Sequence, residues 1–348
     1  MKIAHIISTQ FDFPPREHNG RIDLAHSIVE GLVARGHDVT VYAGAKAKTS
    51  AKHVTVGHPI TEKMLGAKKK KPHAINNFLL LSKLYQDAGK YDVIHSHLDY
   101  NQVLFTPFVQ TPTVTTMHWR LTDELINFVQ NFRNKNFYFT PITNALKTSN
   151  KVPFTQTVYN GIHIEDTTPS YKPGTYLAFL GSLIKEKGIE TALYVAKKTK
   201  IPLKIAGKIK PKEQAYFEKV VKPHIDGKLI QYLGSIPHHT VGKFLANAKA
   251  LLFPVEWQEA HPLVTIEAMA AGTPLLAFRR APLPELIKSG KHGYLVRTKE
   301  EMAQKVLTID SLDRRACRKQ AEKFTFEKML DGYEAVYKKL ATKHGKKK

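Results

Sequence analysis

Residues 250–278 have the sequence ALLFPVEWQEAHPLVTIEAMAAGTPLLAF, which divides into an apolar run, a polar loop, a short helical segment and a second apolar run. Pro262 suits the first turn of a helix and Gly272 suits the position just past its end, which predicts a helix over 263–271. A strand, a helix and another strand form the repeating unit of a parallel sheet. The stretch therefore predicts an α/β fold.

Two glutamates flank the start of this helix, with Glu259 in the loop and Glu267 more than one turn inside the helix. A helix N-terminus carries about half a positive charge and several free N–H groups, so the loop 259–263 predicts an anion site. Carboxylates do not bind phosphate, but they accept hydrogen bonds from hydroxyls such as those of a sugar or a ribose. The spacing alone fits a second interpretation equally well, in which Glu259 is an ordinary first-turn acid and Glu267 is a solvated helix residue.

Short apolar runs alternate with longer helical stretches over most of the chain, which predicts parallel, doubly wound sheets. A polar stretch at 163–175 separates two such series and predicts a linker. We therefore expect two Rossmann-like domains, at 1–165 and 170–325, and then a C-terminal helix and basic tail at 326–348; in this fold the last helix commonly crosses back to the first domain. Ligands of such sheets bind at the carboxyl ends of the strands, so the natural site is the cleft between the domains. The predicted strands are 2–7, 38–43, 91–97, 113–118, 137–142 and 155–160 in the first series, and 176–181, 202–207, 228–234, 250–255, 274–278 and 293–296 in the second.

The charge of the chain favours anionic partners, since 53 Lys+Arg stand against 30 Asp+Glu and give a formal net charge of +23. Lysine runs at 68–71 and 345–348 fit either solvated segments or a weak contact with an anionic membrane surface. We expect no nucleic acid partner, because there is no zinc-finger spacing, RNP-like aromatic motif or basic-region heptad.

The single cysteine, Cys317, and the lack of a signal peptide or a run of about 18 apolar residues predict a soluble cytoplasmic protein, free or peripheral at the inner membrane face.

Several catalytic motifs are missing from the sequence. It contains no G-x-G-x-x-G after a strand, no G-x-x-x-x-G-K-[ST], no H-E-x-x-H and no G-x-S-x-G, which argues against nicotinamide dehydrogenases, P-loop NTPases, zincins and serine hydrolases. It also lacks the D-x-D pair with which many nucleotide-sugar enzymes hold a divalent metal, so we expect no metal and no cofactor. Phosphate binding would then depend on lysines, backbone amides and helix N-termini.

Several segments, taken in order, resemble the group four family of retaining GT-B glycosyltransferases (glycosyl transferases group 1). The stretch from Glu259 to Glu267 resembles the E-x7-E segment of the family, and the shared order of segments spans about 290 residues of this chain. The resemblance implies two Rossmann-like domains facing a cleft, and transfer of a sugar from a nucleoside diphosphate sugar to a hydroxyl acceptor with retention of anomeric configuration. The segments are HNGRIDLAHSIVEGLVARGHDVTVYA (18–43), YDVIHSH (91–97), VTTMH (114–118), VYNGIH (158–163), FLGSLIKEKG (179–188), PVEWQEAHPLVTIEAMAAGTPLLAF (254–278) and PELIKSGKHGYLV (284–296).

The resemblance also implies roles for residues of the second domain. Glu267 would accept hydrogen bonds from the ribose hydroxyls of the nucleotide. Glu259 would contact the hydroxyls of the donor sugar and help to orient its anomeric carbon. The amides around Leu263 and Val264 would hold the diphosphate at the helix end. Lys187 would neutralise the leaving phosphate as charge develops there, with a solvated turn lysine as the alternative.

In the first domain the resemblance implicates Gly20 and His118. Gly20 would allow its loop to approach the diphosphate closely, and a plain helix-start glycine is the alternative. His118 follows a predicted strand, and the family places a histidine near the sugar and the acceptor at this position; a structural strand-end histidine is the alternative. For His95 and His97, a strand core or a metal-free polar network is an equally good explanation.

Among the departures from the family pattern, the one at Ser182 bears on catalysis. The family usually has an arginine that clamps the diphosphate together with the lysine at position 187, and this chain has Ser182 there, which cannot do so. Lys185 or Lys208 would have to substitute. The leading hypothesis is a retaining hexosyltransferase, and the alternatives are a degenerate transferase that binds a nucleotide sugar without turnover and a same-fold enzyme such as an epimerase or a phosphorylase. The basic first domain suits an anionic lipid or polysaccharide acceptor.

Overall fold

The computed structural model describes residues 1–16, 19–56, 61, 64, 72–98 and 100–345. The lysine run at 68–71 and residues 346–348 of the basic tail lie outside these ranges. The chain forms two compact units, Met1–Tyr159 with Met329–Lys348, and Asn160–Lys328. Each unit has its own six-stranded sheet, which confirms the predicted α/β class. In the described part of the chain no helix is both long and apolar enough to cross a bilayer.

The first unit alternates strands and helices. Its strands are β1 (Lys2–Ile6), β2 (Asp38–Tyr42), β3 (Lys52–Val54), β4 (Val93–Ser96), β5 (Thr113–Met117) and β6 (Phe137–Pro141), and its helices are α1 (Gly20–Ala34), α2 (Pro72–Gln86) and α3 (Asp123–Phe132). The strand order is β3-β2-β1-β4-β5-β6, and the described pairings are parallel. Helices cover both faces, so Ile3, Ala4 and Ile6 are fully buried.

The prediction of a strand at 155–160 was wrong. Phe139 of β6 exchanges backbone hydrogen bonds with Pro153 and Thr155, which makes an isolated bridge beside β6. Further along, the Val158 N–H donates to the Pro141 carbonyl at 3.0 Å, but Pro141 has no N–H to continue the ladder. The other five predicted strands of this series are present, and the three-residue edge strand β3 was not predicted.

The second unit has the same kind of alternation. Its strands are β7 (Tyr176–Leu180), β8 (Leu203–Ala206), β9 (Ile230–Tyr232), β10 (Ala248–Phe253), β11 (Leu275–Phe278) and β12 (Gly293–Val296), and its helices are α4 (Ile189–Thr199), α5 (Gln214–Tyr216), α6 (His238–Ala246), α7 (Leu263–Ala270), α8 (Leu283–Leu286), α9 (Lys299–Val306) and α10 (Arg314–Ala321). The strand order is β12-β11-β10-β7-β8-β9, again parallel. All six strands predicted for this series are present, with ends shifted by no more than two residues. The final helix is α11 (Phe326–His344), which belongs to the first unit from Met329 onward.

The stretch 250–278 folds as β10, loop, α7 and β11, as its sequence predicts. The helix starts at Leu263, with Pro262 one position before it and not inside its first turn. Gly272 follows the helix with a φ of +78°, a left-handed conformation that glycine adopts at low cost. The N-terminus of α7 therefore follows the carboxyl end of β10, where a parallel sheet binds its ligands.

Candidate functional site

The loops after β7 and β10 leave neighbouring strands in opposite directions. From β7 the chain passes through α4 to β8 on one side, and from β10 it passes through α7 to β11 on the other side. The carboxyl ends of β7 and β10 are therefore the switch point of the second sheet, where doubly wound sheets bind ligands. The loop after β7 carries Ser182 and Lys187, and the loop after β10 carries Glu259.

Backbone contacts hold these two loops together. The Glu256 N–H donates to the Glu186 carbonyl at 2.9 Å. Gly188 has a φ of +73°, and a Cβ at this position would lie 1.9 Å from the carbonyl oxygen of Pro254. Only a glycine fits there without displacement of the backbone. Lys187, between Glu186 and Gly188, is consequently fixed beside the loop after β10.

Lys187 and Glu259 form an ion pair in which the ammonium group donates to Glu259 Oε1. The indole N–H of Trp257 donates to the same oxygen at 2.7 Å, and Lys187 Nζ lies 5.3 Å from the centre of the indole ring. The side chains of Lys187 and Glu259 are 22% and 21% exposed. Two donors on Oε1 fix the direction of the carboxylate, and its Oε2 has no donor among the described residues.

Sequence reasoning missed Trp257 as a member of this site. The residue is exposed, so its ring does not fill the core of the unit. An exposed tryptophan presents an apolar ring face and a polar N–H together, so Trp257 is able to contact a ligand beside the charged pair. The sequence does contain a signal for Trp257. It is a large aromatic residue in a predicted loop, two residues before Glu259, where no side chain is required to fill the core.

The N-terminus of α7 lies in the same segment. Leu263 and Val264 are half-buried in its first turn, whose N–H groups have no intrahelical acceptor. Glu267 is half-buried one turn further along. His261 is buried with its ring 5.9 Å from that of Phe324, and burial lowers its pKa to about 3. The segment therefore directs its histidine into the core and leaves the two glutamates partly accessible.

Ser182 and Lys208 follow neighbouring strands. Ser182 comes after β7 and is half-buried, whereas Lys208 comes after β8 and is exposed. The Leu183 N–H donates to the Lys208 carbonyl at 3.4 Å, so the two loops run side by side. Lys185 is exposed in the same loop as Lys187. Both lysines that were considered as substitutes for the missing arginine are thus close in the chain or in space to Ser182.

In the first unit, the start of α1 and the end of β5 come together. Gly20 is the first residue of α1, and a Cβ there would meet no atom within 4 Å. The guanidinium of the next residue, Arg21, lies 5.0 Å from the centre of the Trp119 ring. His118, which precedes Trp119, is half-buried, and burial and the Arg21 charge lower its pKa to about 3. The structure therefore brings Gly20 and a neutral His118 to one part of the unit.

A buried polar network lies at the ends of β1 and β4. His5 and His95 are register partners on these strands, and His5 Nδ1 lies 3.1 Å from Nε2 of His97. The ring nitrogens of His95 contact Thr116 Oγ1 at 2.7 Å and the Tyr337 hydroxyl at 2.6 Å. Burial lowers the pKa of all three histidines. These contacts favour the interpretation of His95 and His97 as a polar network.

Two groups of described side chains come close enough to share a cation. In each group the ligand atoms lie within 4.8 Å of one another. The buried group already uses both ring nitrogens of His95 in contacts with hydroxyls, and the exposed group contains a contact of 3.0 Å between His163 and Glu165. Neither group includes a residue of the loops after β7 and β10. The groups are His5, His95 and His97, and His163, Glu165 and Glu327.

Two parallel sheets with covering helices, each with a switch point, define a pair of Rossmann-like units. Solved glycosyltransferases share this architecture over nearly their whole length. HepE of Anabaena, crystallised in complex with UDP, has a TM-score of 0.75 and 16% identity, with 97% of this chain and 100% of that chain covered. Sucrose-phosphate synthase of Thermosynechococcus elongatus has a TM-score of 0.73 and 17% identity, with 98% and 99% covered. The chain has the GT-B glycosyltransferase fold.

Family models give the more particular assignment. Glycosyl transferases group 1 matches residues 163–324, and Glycosyltransferase Family 4 matches residues 24–152. An uncharacterized glycosyltransferase of Methanocaldococcus jannaschii is 24% identical over 297 residues, which cover 77% of this chain and 81% of the relative. An uncharacterized 41.2 kDa protein in the cps region of Klebsiella pneumoniae is 25% identical over 306 residues, which cover 75% and 82%. These matches support a glycosyltransferase, with one glycosyltransferase family model matched in each unit of the chain.

Proposed function

We propose that the protein transfers a sugar from a nucleoside diphosphate sugar to a hydroxyl acceptor with retention of anomeric configuration. The observation that carries this proposal is the contact of Lys187 and Trp257 with Glu259 beside the N-terminus of α7. A cation and a helix N-terminus favour phosphate, whereas carboxylates favour hydroxyls. A nucleoside diphosphate sugar presents both kinds of group to one site.

The proposed division of roles follows the positions of these groups. The first-turn amides of Leu263 and Val264 hold the diphosphate, Glu267 accepts from the ribose hydroxyls, and Glu259 accepts from the sugar through Oε2. Lys187 lies where the leaving phosphate would gain charge. Anabaena HepE has been crystallised with UDP and with UDP-glucose, which supports a donor of this chemical class.

The proposed reaction breaks the bond between the anomeric carbon and a diphosphate oxygen and forms a bond from that carbon to the acceptor oxygen on the same face. The leaving phosphate takes the proton of the acceptor hydroxyl. Lys187 and the α7 N-terminus stabilise the charge that develops on that phosphate. Gly20 leaves room for the diphosphate, and neutral His118 contacts the sugar or the acceptor hydroxyl. Since the sequence lacks a D-x-D pair, we propose that the transfer is independent of metal.

A second candidate function is binding of a nucleotide sugar without turnover. It is favoured by Ser182, whose short side chain offers a hydroxyl where the family usually has a guanidinium. A lone hydroxyl does not supply the second positive charge of the diphosphate clamp. Exposed Lys208, beside the Ser182 loop, supplies that charge if the protein turns over.

One experiment separates the two candidates. The protein is incubated with a panel of nucleoside diphosphate sugars and hydroxyl acceptors, with and without EDTA. Release of nucleoside diphosphate is measured, donor binding is followed by calorimetry, and the anomeric configuration of the product is read by NMR. Release with retention, unchanged by EDTA, is the expected result. Binding without release across the panel, with turnover gained in Ser182→Arg, would support the second candidate.

Replacement of Trp257 by phenylalanine is expected to lower kcat/KM for the donor about tenfold. The change keeps a ring beside Lys187 but removes one hydrogen bond to the Glu259 carboxylate, and a bond to a charged group contributes about 1.5 kcal/mol. Trp257→Ala removes the ring as well and is expected to lower kcat/KM further. Steady-state kinetics at saturating acceptor measure both variants. Equal rates for the wild type and Trp257→Phe would exclude a positioning role for the indole N–H.

We also propose that the first unit contacts an anionic membrane surface, where an anionic lipid or polysaccharide acceptor would be available. Ile75, Phe78 and Leu79 form an exposed apolar face on the first two turns of α2. The ring of Phe105 lies 6.4 Å from that of Phe78, and Phe108, 83% exposed, follows three residues later. Contiguous exposed apolar side chains indicate an interaction surface, and a net charge of +23 favours anionic lipid as the partner.

The double variant Phe78→Ser/Leu79→Ser is expected to bind phosphatidylglycerol vesicles about tenfold more weakly, since it removes two apolar side chains from the contact. Sedimentation with vesicles at low salt measures the binding. Leu307→Ser is the control, because Leu307 is a large exposed apolar residue of the second unit. Binding of the double variant equal to that of the control would contradict the proposed surface.

A further inference from the structure

A cationic groove lies in the second unit beside β12, one of the two edge strands of its sheet. Its main concavity has a volume of about 500 Å³, and a neighbouring hollow of about 340 Å³ shares part of the same wall. One carboxylate, Glu285, lines the main concavity, and Asp313 lines the hollow. The basic residues around the groove are Arg279, Lys288, Lys291 and Lys323 in the main concavity, with Arg315 and Lys319 added in the hollow.

The four cations of the main concavity come from three separate segments. Arg279 follows β11, Lys288 and Lys291 lie in the turn between α8 and β12, and Lys323 follows α10. The four positive charges are therefore brought together by the fold and do not come from one lysine run in the sequence. Elsewhere in the unit lysines pair with carboxylates, as Lys249 does with Asp310. Among the described residues, no ion pair involves the four groove cations.

A buried imidazole lies among these charges. His292 is buried, and its Nδ1 accepts the backbone N–H of Lys288 at 3.1 Å. Burial and the charges of Lys291, Lys323 and Lys288 lower the pKa of His292 to about 4, so the ring is neutral near pH 7. The positive charges of three lysines therefore disfavour protonation of the same buried ring. Like charges held together at this density favour an anion between them.

The groove is separate from the loops that carry Lys187 and Glu259. Those loops follow the carboxyl ends of β7 and β10, and β11 lies between β10 and β12 in the sheet. His292 directly precedes β12 and lies at its amino end, Arg279 follows β11 at its carboxyl end, and no residue that lines the groove belongs to the loops after β7 and β10. An anion in the groove would therefore not occupy the position proposed for the donor diphosphate.

We propose that the groove binds a phosphate-bearing anion with more than one negative charge. Four cations around a space larger than a single phosphate suit a diphosphate or a cluster of phosphate groups, and lysines bind phosphate as point charges without a fixed geometry. Such a group reaches the protein either as a free phosphorylated compound or as part of a lipid headgroup. The groove chemistry is the same in both cases.

Calorimetry with inorganic pyrophosphate tests the proposal on the full-length protein in the Lys187→Ala background, which weakens binding at the proposed donor site. The Lys291→Glu/Lys323→Glu variant is expected to bind pyrophosphate at least tenfold more weakly than its parent. Lys198→Glu/Lys228→Glu, which changes the charge of the same unit by the same amount at exposed positions, is expected to stay within twofold of the parent. Equal affinities in the two double variants would overturn the proposal, and Lys291→Ala/Lys323→Ala repeats the comparison if the glutamates disturb folding.

Sedimentation with vesicles distinguishes the two sources of phosphate. Weaker binding of the groove variant than of the control to phosphatidylglycerol vesicles, together with its loss of pyrophosphate affinity, would identify a lipid headgroup. Unchanged vesicle binding with the same loss of pyrophosphate affinity would identify a free phosphorylated compound. A pyrophosphate affinity equal to that of the control would overturn the site, whatever the vesicle binding.

Discussion

Replacement of Lys187 by alanine is expected to lower kcat about 10²–10³-fold, the usual loss when a preorganised group that stabilises transition-state charge is removed. Lys187 is preorganised in two ways. Its backbone is fixed by the close approach of Gly188 to Pro254, and its ammonium group is held by Glu259 over the Trp257 ring. A charge held in place before the reaction needs no reorganisation when the phosphate leaves, which explains why the loss should appear in kcat.

Two variants serve as controls for Lys187→Ala. Lys198→Ala removes an exposed lysine of α4 in the same unit and is expected to leave kcat within about twofold. Lys187→Arg keeps the charge and should recover part of the rate. The thermal midpoint should change little, because a partly exposed ion pair contributes about 1 kcal/mol or less to stability. If Lys187→Ala and Lys198→Ala had the same kcat, Lys187 would have no role in the chemical step.

Most of the two sheets could be predicted from local patterns. Strands such as Lys2–Ile6 and Tyr176–Leu180 are covered on both faces, so they appear as nearly continuous apolar runs. The segment 155–160 has the β-branched and aromatic residues of a strand, but the ladder stops at Pro141, which lies in another segment and cannot donate. The edge strand Lys52–Val54 has two exposed residues and no apolar run. Local patterns therefore fail where pairing depends on a neighbour or on an edge.

The site was predictable in part for a similar reason. Glu259 and Glu267 belong to one local segment whose strand, loop and helix could be assigned from the sequence. The contact of Lys187 with Glu259 joins residues 72 positions apart and depends on the backbone bond between Glu186 and Glu256. The role of Trp257 exists only through that contact. A pattern search finds residues that resemble a motif, but it does not find a residue whose function is to hold another.

Arg314 is a further residue that no sequence pattern indicated. It is 6% exposed in the second unit, and burial lowers the pKa of its guanidinium. Its donors reach the carbonyls of Ser170, Ala246 and Ala248 at 2.7–2.9 Å and the Thr273 hydroxyl at 2.9 Å. Every residue has a backbone carbonyl, so a carbonyl acceptor leaves no mark in the sequence. Ser170 and Thr273 also lie 144 and 41 positions away from Arg314, so no local motif predicts the contact.

The position of these acceptors shows what Arg314 stabilises. Ala246 is the last residue of α6, where carbonyls lack intrahelical donors, and Ala248 begins β10. Thr273 precedes β11, and Ser170 lies in the segment before β7. One side chain on α10 thus supplies donors to the amino ends of the strands that carry the switch point at their other ends. Loss of Arg314 should loosen the scaffold under Lys187 and Glu259 without touching either.

Arg314→Met is therefore expected to destabilise the second unit by about 3–5 kcal/mol, the range seen when one partner of a buried charged hydrogen-bond network is removed. Methionine keeps most of the apolar stem but removes the donors to the buried carbonyls of Ala246 and Ala248 and to the partly buried carbonyl of Ser170, and each loss costs about 1 kcal/mol or more. Urea unfolding of the full-length protein in a Trp119→Phe background, in which Trp257 is the one remaining tryptophan, measures the change by fluorescence.

Arg315→Met is the matched control, because this neighbouring arginine is exposed and stacks on Tyr171 at 4.9 Å, and its loss should cost less than about 1 kcal/mol. Arg314→Lys should also be destabilising, since an ammonium group cannot reproduce the spread of a guanidinium over four acceptors. Unfolding midpoints that coincide for Arg314→Met and Arg315→Met would mean that water replaces the guanidinium at no cost, and the buried network would then contribute nothing to the stability of the sheet.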